Sequence, residues 1–135
     1  MLLRLLYKFQ KYRKSKISIN NHTLNAIIAD SWAKRALGLM FRKNLGEKEC
    51  MLFVFPREGR YGIWMRNMLF PIDIIWINKE MVVVDYKKGA KPCALFNCIT
   101  YIPRENAKFV AEMRSGTIKK LGIKIGSTIH FSRKE

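Results

Sequence analysis

Residues 72–86 read Ile-Asp-Ile-Ile-Trp-Ile-Asn-Lys-Glu-Met-Val-Val-Val-Asp-Tyr and contain two apolar runs, 72–77 and 81–86. Runs of this length that are rich in Ile, Val and aromatic residues are typical of β-strands. The polar residues 78–80 between them are suited to a tight turn. This stretch therefore predicts a β-hairpin and indicates the class of the fold.

Similar short apolar runs occur on both sides of this hairpin, separated by turn-forming residues. Further strands are predicted at 23–29, 51–55, 62–65, 108–113 and 127–131. Short helices are predicted at 32–39, with Asp30 or Ser31 as the N-cap, and at 117–121. Short strands at regular spacing predict a mainly β fold, either a compact antiparallel barrel or a jelly-roll-like sandwich with one or two short helices.

The chain has 135 residues, a length that fits one domain, and 49% of its residues are hydrophobic. This composition excludes a disordered, collagen-like, repeat-solenoid or multi-span membrane protein. The charge is unusual, because 26 Lys and Arg against 10 Asp and Glu give a net charge of +16. Such a field attracts nucleic acid, anionic lipid or acidic proteins. We expect a single mainly β domain over 17–135, preceded by a basic segment, 1–16.

The segment 1–16 contains six basic residues and no acidic residue. As a helix it would place apolar residues on one face: Leu2, Leu5, Leu6 and Phe9. It would place basic residues on the opposite face: Arg4, Lys8, Lys11 and Lys14. Three interpretations follow: a terminal helix that packs its leucines on the domain, a helix in the plane of an anionic membrane, or a basic arm that binds nucleic acid.

Cysteine usage and the first residues bear on localisation. Cys50, Cys93 and Cys98 cannot all pair within one chain, whereas small disulfide-stabilised secreted domains usually have an even and larger number of cysteines. Residues 1–16 lack the unbroken apolar stretch and the small-residue cleavage site of a signal peptide. We therefore expect a reducing compartment and a cytoplasmic protein, with peripheral membrane contact through residues 1–16 as an alternative.

Asp73 is an unusual residue, because it lies between isoleucines in a predicted strand. A buried carboxylate must be hydrogen-bonded, paired with a cation or protonated. The candidate partners are Arg35, Arg42, Arg66 and the amide of Asn67. In a structural role, Asp73 accepts backbone N–H groups and fixes the preceding turn. In a functional role, it forms the polar wall of a pocket whose apolar floor is Trp64.

Several sequence blocks occur in the order found in one known family: Gly38-Leu39-Met40-Phe41-Arg42, Met51-Leu52-Phe53-Val54-Phe55, Trp64-Met65-Arg66-Asn67, Pro71-Ile72-Asp73-Ile74-Ile75, Pro92-Cys93, and Glu112 with Gly116, Gly122 and Gly126. From Ile27 to Phe131 the chain resembles the domain of unknown function 192 family of bacteria and archaea. The resemblance implies a compact, mainly β domain of jelly-roll or barrel type. It implies no established reaction, because the family is uncharacterised.

We expect a binding or accessory module rather than an enzyme, with a shallow pocket for a small polar or anionic ligand. The residues expected to form this pocket are Arg35, Arg42, Trp64, Asn67 and Asp73, with Cys93 at the rim. The reason is that these polar residues interrupt apolar strands and coincide with the most specific block of the resemblance.

Two alternatives stay open. One is sequence-independent binding of a polyanion, either nucleic acid or an anionic membrane, through the basic surface and residues 1–16. The other is an enzyme that uses Cys93 as a nucleophile or Asp73 and Glu112 as a carboxylate pair. No cofactor or metal is expected, because Cys93, Cys98 and either histidine do not make a familiar zinc spacing.

Overall fold

The computed structural model describes residues 2–93 and 97–132, and strands predominate in it. The elements are α1 (Leu2–Phe9), β1 (Arg13–Ile19), β2 (His22–Ala29), α2 (Trp32–Leu37), β3 (Glu49–Gly59), β4 (Ile63–Trp64), β5 (Ile72–Ile77), β6 (Val83–Ala90), β7 (Thr100–Tyr101), β8 (Ala107–Arg114), α3 (Thr117–Leu121) and β9 (Ile129–Ser132). The prediction of a mainly β fold with short helices is confirmed.

Seven strands form one curled sheet, a half-barrel, in the order β6-β5-β8-β3-β2-β1-β9, and β4 pairs with β7 in a separate two-stranded sheet. The predicted hairpin is present, since β5 and β6 pair in antiparallel fashion. The seven-stranded sheet is mixed rather than wholly antiparallel, because β2 and β3 run parallel. Two parallel strands need a crossover connection between the end of the first strand and the start of the second. The chain makes this connection between β2 and β3 through α2.

Backbone hydrogen bonds bring the two edges of the curled sheet together. Val82, just before β6, forms an isolated antiparallel bridge with Thr128, just before β9. The amide of Val83 donates to the Ser127 carbonyl at 2.9 Å. The amide of Ile129 donates to the Met81 carbonyl, also at 2.9 Å. These contacts join the β6 edge to the β9 edge and so partly close the curled sheet into a barrel.

Two hydrophobic cores cover the two faces of the sheet. Successive side chains of a strand point to opposite faces, so each inner strand contributes to both cores. On β8, Ala111 and Met113 belong to the first core, whereas Val110 belongs to the second. All six residues of β5 are buried, as expected of a strand covered on both sides.

The helix α1 contacts the rest of the protein through Arg4 and Tyr7. The Tyr7 ring lies edge-on at 6.2 Å from the Phe41 ring, and Leu2 and Leu5 remain exposed. Leu2 and Leu5 therefore do not pack on the domain, as one of the three interpretations expected, whereas Leu6 is half-buried. The helix ends at Phe9, and residues 13–16 belong to β1. Within the described residues, none of the helices has the length and apolar character that crossing a bilayer demands.

Candidate ligand-binding pocket

One wall of the candidate pocket consists of α2 and the turn that follows it. The Ser31 hydroxyl accepts a hydrogen bond from the Lys34 amide at 3.2 Å and so caps the helix. The helix ends at Gly38, whose φ of 51° and ψ of −133° suit glycine. A Cβ atom at this position would lie 3.2 Å from the Phe53 ring and 3.8 Å from Glu112 Oε1. Glycine therefore allows the backbone to approach the sheet closely.

Glu112 lies on β8, between β5 and β3, and faces the second core. Its register partners on those two strands are Ile74 and Met51, which both belong to that core. The residue is 4% exposed, and its Oε1 atom is buried with no hydrogen-bond partner among the described residues. Burial raises the pKa of Glu112 to about 8. The carboxyl group is therefore mostly protonated at neutral pH and is able to donate a hydrogen bond.

A pocket of about 220 Å³ includes Glu112 in its lining. It is bounded by α2 and its following turn, by Phe53 on β3, and by Ile63 and Trp64 on β4. The volume is below the roughly 300–1,000 Å³ that is usual for sites of drug-sized molecules. The pocket therefore suits a small metabolite-sized molecule.

Two arginines line the same pocket and make it cationic. The Arg35 guanidinium donates through Nη1 to the Val54 carbonyl at 2.9 Å and lies 5.3 Å from the centre of the Phe55 ring. The Arg66 guanidinium lies 5.4 Å from the centre of the Trp64 ring, on a side chain that is exposed. Stacking on aromatic rings holds both guanidinium groups in place.

A larger depression of about 580 Å³ lies over β1, β2 and the start of β3. Every polar side chain in its lining is at least partly exposed: Lys14, Ser15, Lys16, Asn25 and Glu49. Water can solvate such groups, so this depression lacks a buried polar atom that requires a partner. The Glu112 pocket is therefore the stronger candidate for a binding site.

Asp73 accepts backbone N–H groups, as its expected structural role requires, but they come from β6 and the start of α3 and not from the turn before β5. Its side chain is 1% exposed, and both oxygens accept backbone hydrogen bonds. Oδ1 accepts from the Gly89 amide at 2.8 Å, and Oδ2 accepts from the Gly116 and Ile118 amides at 3.0 and 2.9 Å. One carboxylate thus joins β5 to β6 and to the start of α3. Asp73 is not part of the pocket lining.

The carboxylate pair considered for an enzyme is not formed, because Asp73 and Glu112 face opposite sides of the sheet. Asp73 is opposite Met113, in the first core, and Glu112 is opposite Ile74, in the second core. Residues opposite each other on neighbouring strands share a face, so a difference of one position reverses the direction of the side chain.

The structure brings only two of the five predicted pocket residues, Arg35 and Trp64, into the lining of the Glu112 pocket. The Arg42 guanidinium lies instead 5.4 Å from the centre of the Tyr12 ring. Asn67 has a left-handed backbone, with φ of 61°, which asparagine tolerates better than most residues. Its position is therefore explained by the turn in which it lies.

Cys93 is joined to Cys98 by a disulfide bond, with the two Cα atoms 5.1 Å apart. It has no free thiolate in this state, so the structure gives no support to a nucleophilic Cys93. The remaining cysteine, Cys50, is buried, and burial raises the pKa of its thiol to about 12. The expectation of a reducing compartment was based on the odd and small number of cysteines, and a disulfide between two of the three adds no support to it. Residues 94–96 lie outside the described residues.

Among the lining residues, Gly38 was not predicted for a pocket, and Glu112 was predicted only as a candidate catalytic acid. A signal for Glu112 was available, since it lies within an apolar strand just as Asp73 does. A signal for Gly38 was its place at the end of the predicted helix 32–39, where a glycine marks the turn out of the helix. Neither signal shows which strands are neighbours, and the pocket depends on that.

Comparison with known sequences identifies relatives along most of the chain. A family model described as "Uncharacterized ACR", the domain of unknown function 192, matches residues 15–131. A UPF0127 protein of Pyrococcus furiosus is 34% identical over 110 residues, which cover 78% of this chain and 84% of that protein. A UPF0127 protein of Thermococcus kodakarensis is 36% identical over 110 residues, which cover 80% of this chain and 65% of that protein.

Solved structures show the same fold. A Sinorhizobium meliloti protein, named as a proposed transcription regulator, superposes with a TM-score of 0.82 at 26% identity and covers 90% of this chain and 96% of its own. A Novosphingobium aromaticivorans protein of unknown function superposes with a TM-score of 0.78 at 27% identity, covering 88% and 84% respectively. With the family model matched over 15–131, the chain belongs to the domain of unknown function 192 family.

Proposed function

We propose that this protein binds a small polar or anionic molecule in the pocket that contains Glu112. The observation that carries the proposal is the Oε1 atom of Glu112, which has no hydrogen-bond partner among the described residues although it is buried. A buried polar group left unsatisfied costs roughly 1–3 kcal/mol. A ligand that accepts a hydrogen bond from the protonated carboxyl would remove this cost.

The charge of the pocket supports an anionic ligand. Arg35 and Arg66 are in the lining, and the chain has a net charge of +16. A protonated Glu112 adds a hydrogen-bond donor without adding negative charge. Arginine and a neutral carboxylic acid together suit an oxyanion such as a carboxylate or a phosphate.

The apolar part of the lining supports a ligand with a small nonpolar portion. Phe53, Ile63 and Met68 line the pocket beside Trp64, whose side chain is 42% exposed. Sites for small molecules usually combine such apolar walls with a few placed polar groups. A short-chain or aromatic carboxylate matches both the size and the chemistry of this pocket.

Calorimetric titration with acetate, pyruvate, benzoate, phosphate and neutral glycerol tests the proposal. We expect one or more of the four anions to bind and glycerol to bind more weakly or not at all. Glu112→Met should lower the affinity for the bound anion by about tenfold or more, because it removes the hydrogen-bond donor. Glu112→Gln retains a donor and should retain more of the affinity. Glu105→Gln, at an exposed glutamate, is the matched control.

The stability of the variants distinguishes a lost ligand contact from a lost fold. Glu112→Met replaces an unsatisfied polar group by an apolar one, so its melting temperature should equal or exceed that of the wild type. Binding should also weaken above about pH 8, where the ionised Glu112 carboxylate repels an anion. The absence of binding by all four anions contradicts the proposal, as does an affinity that Glu112→Met leaves unchanged.

A further inference from the structure

The helix α1 presents three large apolar side chains to solvent. Leu2, Leu5 and Phe9 are 72%, 54% and 74% exposed. Spacings of three and four residues place them on one face of the helix. An exposed apolar face of this kind indicates an interaction surface.

This apolar face points away from the domain. The helix contacts the domain through Tyr7, 6.2 Å from the Phe41 ring, and through Arg4, whose guanidinium lies 5.4 Å from the centre of the same ring. At 3.6 residues per turn, positions 4 and 7 lie on roughly the opposite side of the helix from positions 2, 5 and 9. The helix can therefore keep its contacts with the domain while its apolar face binds a separate partner.

The residues around this face are basic. Lys8 lies in the last turn of α1 and borders the same surface as Leu2 and Leu5. Lys11 follows the helix with an exposed side chain, and Lys14 and Lys16 are exposed further along the chain, in β1. Arg13 is paired with Asp30 and is therefore left out of this set. Lysines beside an exposed apolar helical face are the features with which interfacial helices bind anionic membranes.

We propose that α1 anchors the protein to the surface of an anionic lipid bilayer, with Leu2, Leu5 and Phe9 in the interfacial region and the lysines against the lipid headgroups. Nucleic acid would satisfy the charge but would leave the three apolar side chains in water. A bilayer satisfies both, because its headgroups are anionic and its acyl chains are apolar. This anchor does not depend on the Glu112 pocket.

Co-sedimentation of the full chain with vesicles tests the anchor. We expect binding to phosphatidylcholine vesicles that contain phosphatidylserine, little binding to phosphatidylcholine alone, and weaker binding at high salt. The combined variant Leu2→Ser, Leu5→Ser and Phe9→Ser should lower the partition coefficient by about tenfold or more. The matched control is Leu69→Ser with Ile125→Ser, at exposed apolar residues outside α1 that are 59% and 48% exposed.

A charge variant gives a second measurement that does not alter the apolar face. Lys8→Glu with Lys11→Glu should also lower the partition coefficient by about tenfold or more, since each basic residue near an anionic surface contributes about fivefold. Both variants should fold as the wild type does, because each retains Arg4 and Tyr7, which contact the domain. Melting curves check this.

Three results would overturn the anchor. The first is no binding to the anionic vesicles, and the second is equal binding by wild type and the triple serine variant. The third is a DNA duplex that binds the wild type while the vesicles do not, which would make residues 1–16 a nucleic-acid arm.

Discussion

Asp73 and Glu112 both carry carboxyl groups that are buried on adjacent strands. Their roles differ because, in the described part of the chain, backbone N–H groups donate to Asp73 but not to Glu112 Oε1. Three backbone amides donate to Asp73, from Gly89, Gly116 and Ile118. Glu112 is enclosed by apolar residues, so the Oε1 atom has no partner among the described residues and desolvation raises the pKa of the group to about 8. A buried carboxyl that the fold leaves unsatisfied is better suited to meet a ligand than one engaged by the backbone.

We expect Glu112 to make the folded state less stable as the pH rises. The pKa of its carboxyl is about 8 in the folded protein, against an ordinary value of 4.5. Between these values the folded state binds a proton that the unfolded state does not, so this contribution to stability is complete below pH 4.5 and is lost as the pH approaches 8. Urea unfolding over this range measures the effect, and Glu112→Gln should give a flatter dependence. Equal pH dependence in the two proteins would contradict the role of Glu112.

Asp73→Asn should destabilise the protein by about 3 kcal/mol, because the uncharged amide has one acceptor oxygen for three N–H groups and brings two donors of its own. Urea unfolding measures the loss, and Glu105→Gln, at an exposed glutamate, should cost less than about 1 kcal/mol. Anion affinity at the Glu112 pocket should be unchanged, because Asp73 faces the other side of the sheet. A loss below about 1 kcal/mol for Asp73→Asn would contradict its structural role.

At the scale of elements, the disulfide lies next to a strand that supports the pocket. Cys98 is followed by β7 at Thr100, and β7 pairs with β4, whose Trp64 lines the pocket. Closing a loop this short stabilises the folded state by about 2 kcal/mol in the chain-entropy model. The bond therefore connects the stability of the fold with the edge of the candidate site.

Reduction of this disulfide should lower the free energy of unfolding by about 2 kcal/mol. Thermal unfolding with and without a reductant measures the loss, and Cys93→Ser with Cys98→Ser should match the reduced wild type. The same double variant should show no further change with reductant, because Cys50 has no partner to lose. A wild-type melting temperature that does not respond to reductant would show that the bond adds no stability.

The elements predictable from sequence were those set by local pattern. β5 and α3 agree with the predicted ranges 72–77 and 117–121, because each depends on residues close together in the chain. The hairpin partner β6 is present but runs over Val83–Ala90, four residues beyond the predicted end at 86. The parallel pairing of β2 with β3 was not predictable, since an apolar run specifies a strand but not its neighbour. The side of the sheet that Glu112 faces depends on how β8 pairs with β3 and β5. The sequence therefore could not show that Glu112, and not Asp73, lines the pocket. Likewise, the amphipathic pattern of α1 was visible, but not the side on which it contacts the domain.

At the scale of the whole molecule, the charge is distributed so that anions are attracted to two separate places. The Glu112 pocket has Arg35 and Arg66 in its lining, and α1 is followed by exposed lysines. The occupants proposed for the two sites differ: a small oxyanion for the pocket and a lipid surface for α1. A protein held at an anionic surface by α1 could still bind a small anion, because the apolar face of the helix and the pocket are built from different residues.

The net charge of +16 should also make the melting temperature rise with added NaCl. Basic residues outnumber acidic ones by 26 to 10, so repulsion between cations prevails over attraction. No ion pair found in the described residues is fully buried, so salt reaches these pairs as well. Salt screens exposed charges beyond about 10 Å at 0.1 M, which weakens long-range repulsion more than close pairing. Melting curves over a series of NaCl concentrations measure the effect. Lys43→Glu with Lys91→Glu, at exposed lysines, lowers the net charge and should make the dependence shallower. A melting temperature that falls with NaCl would instead mean that the ion pairs outweigh the repulsion.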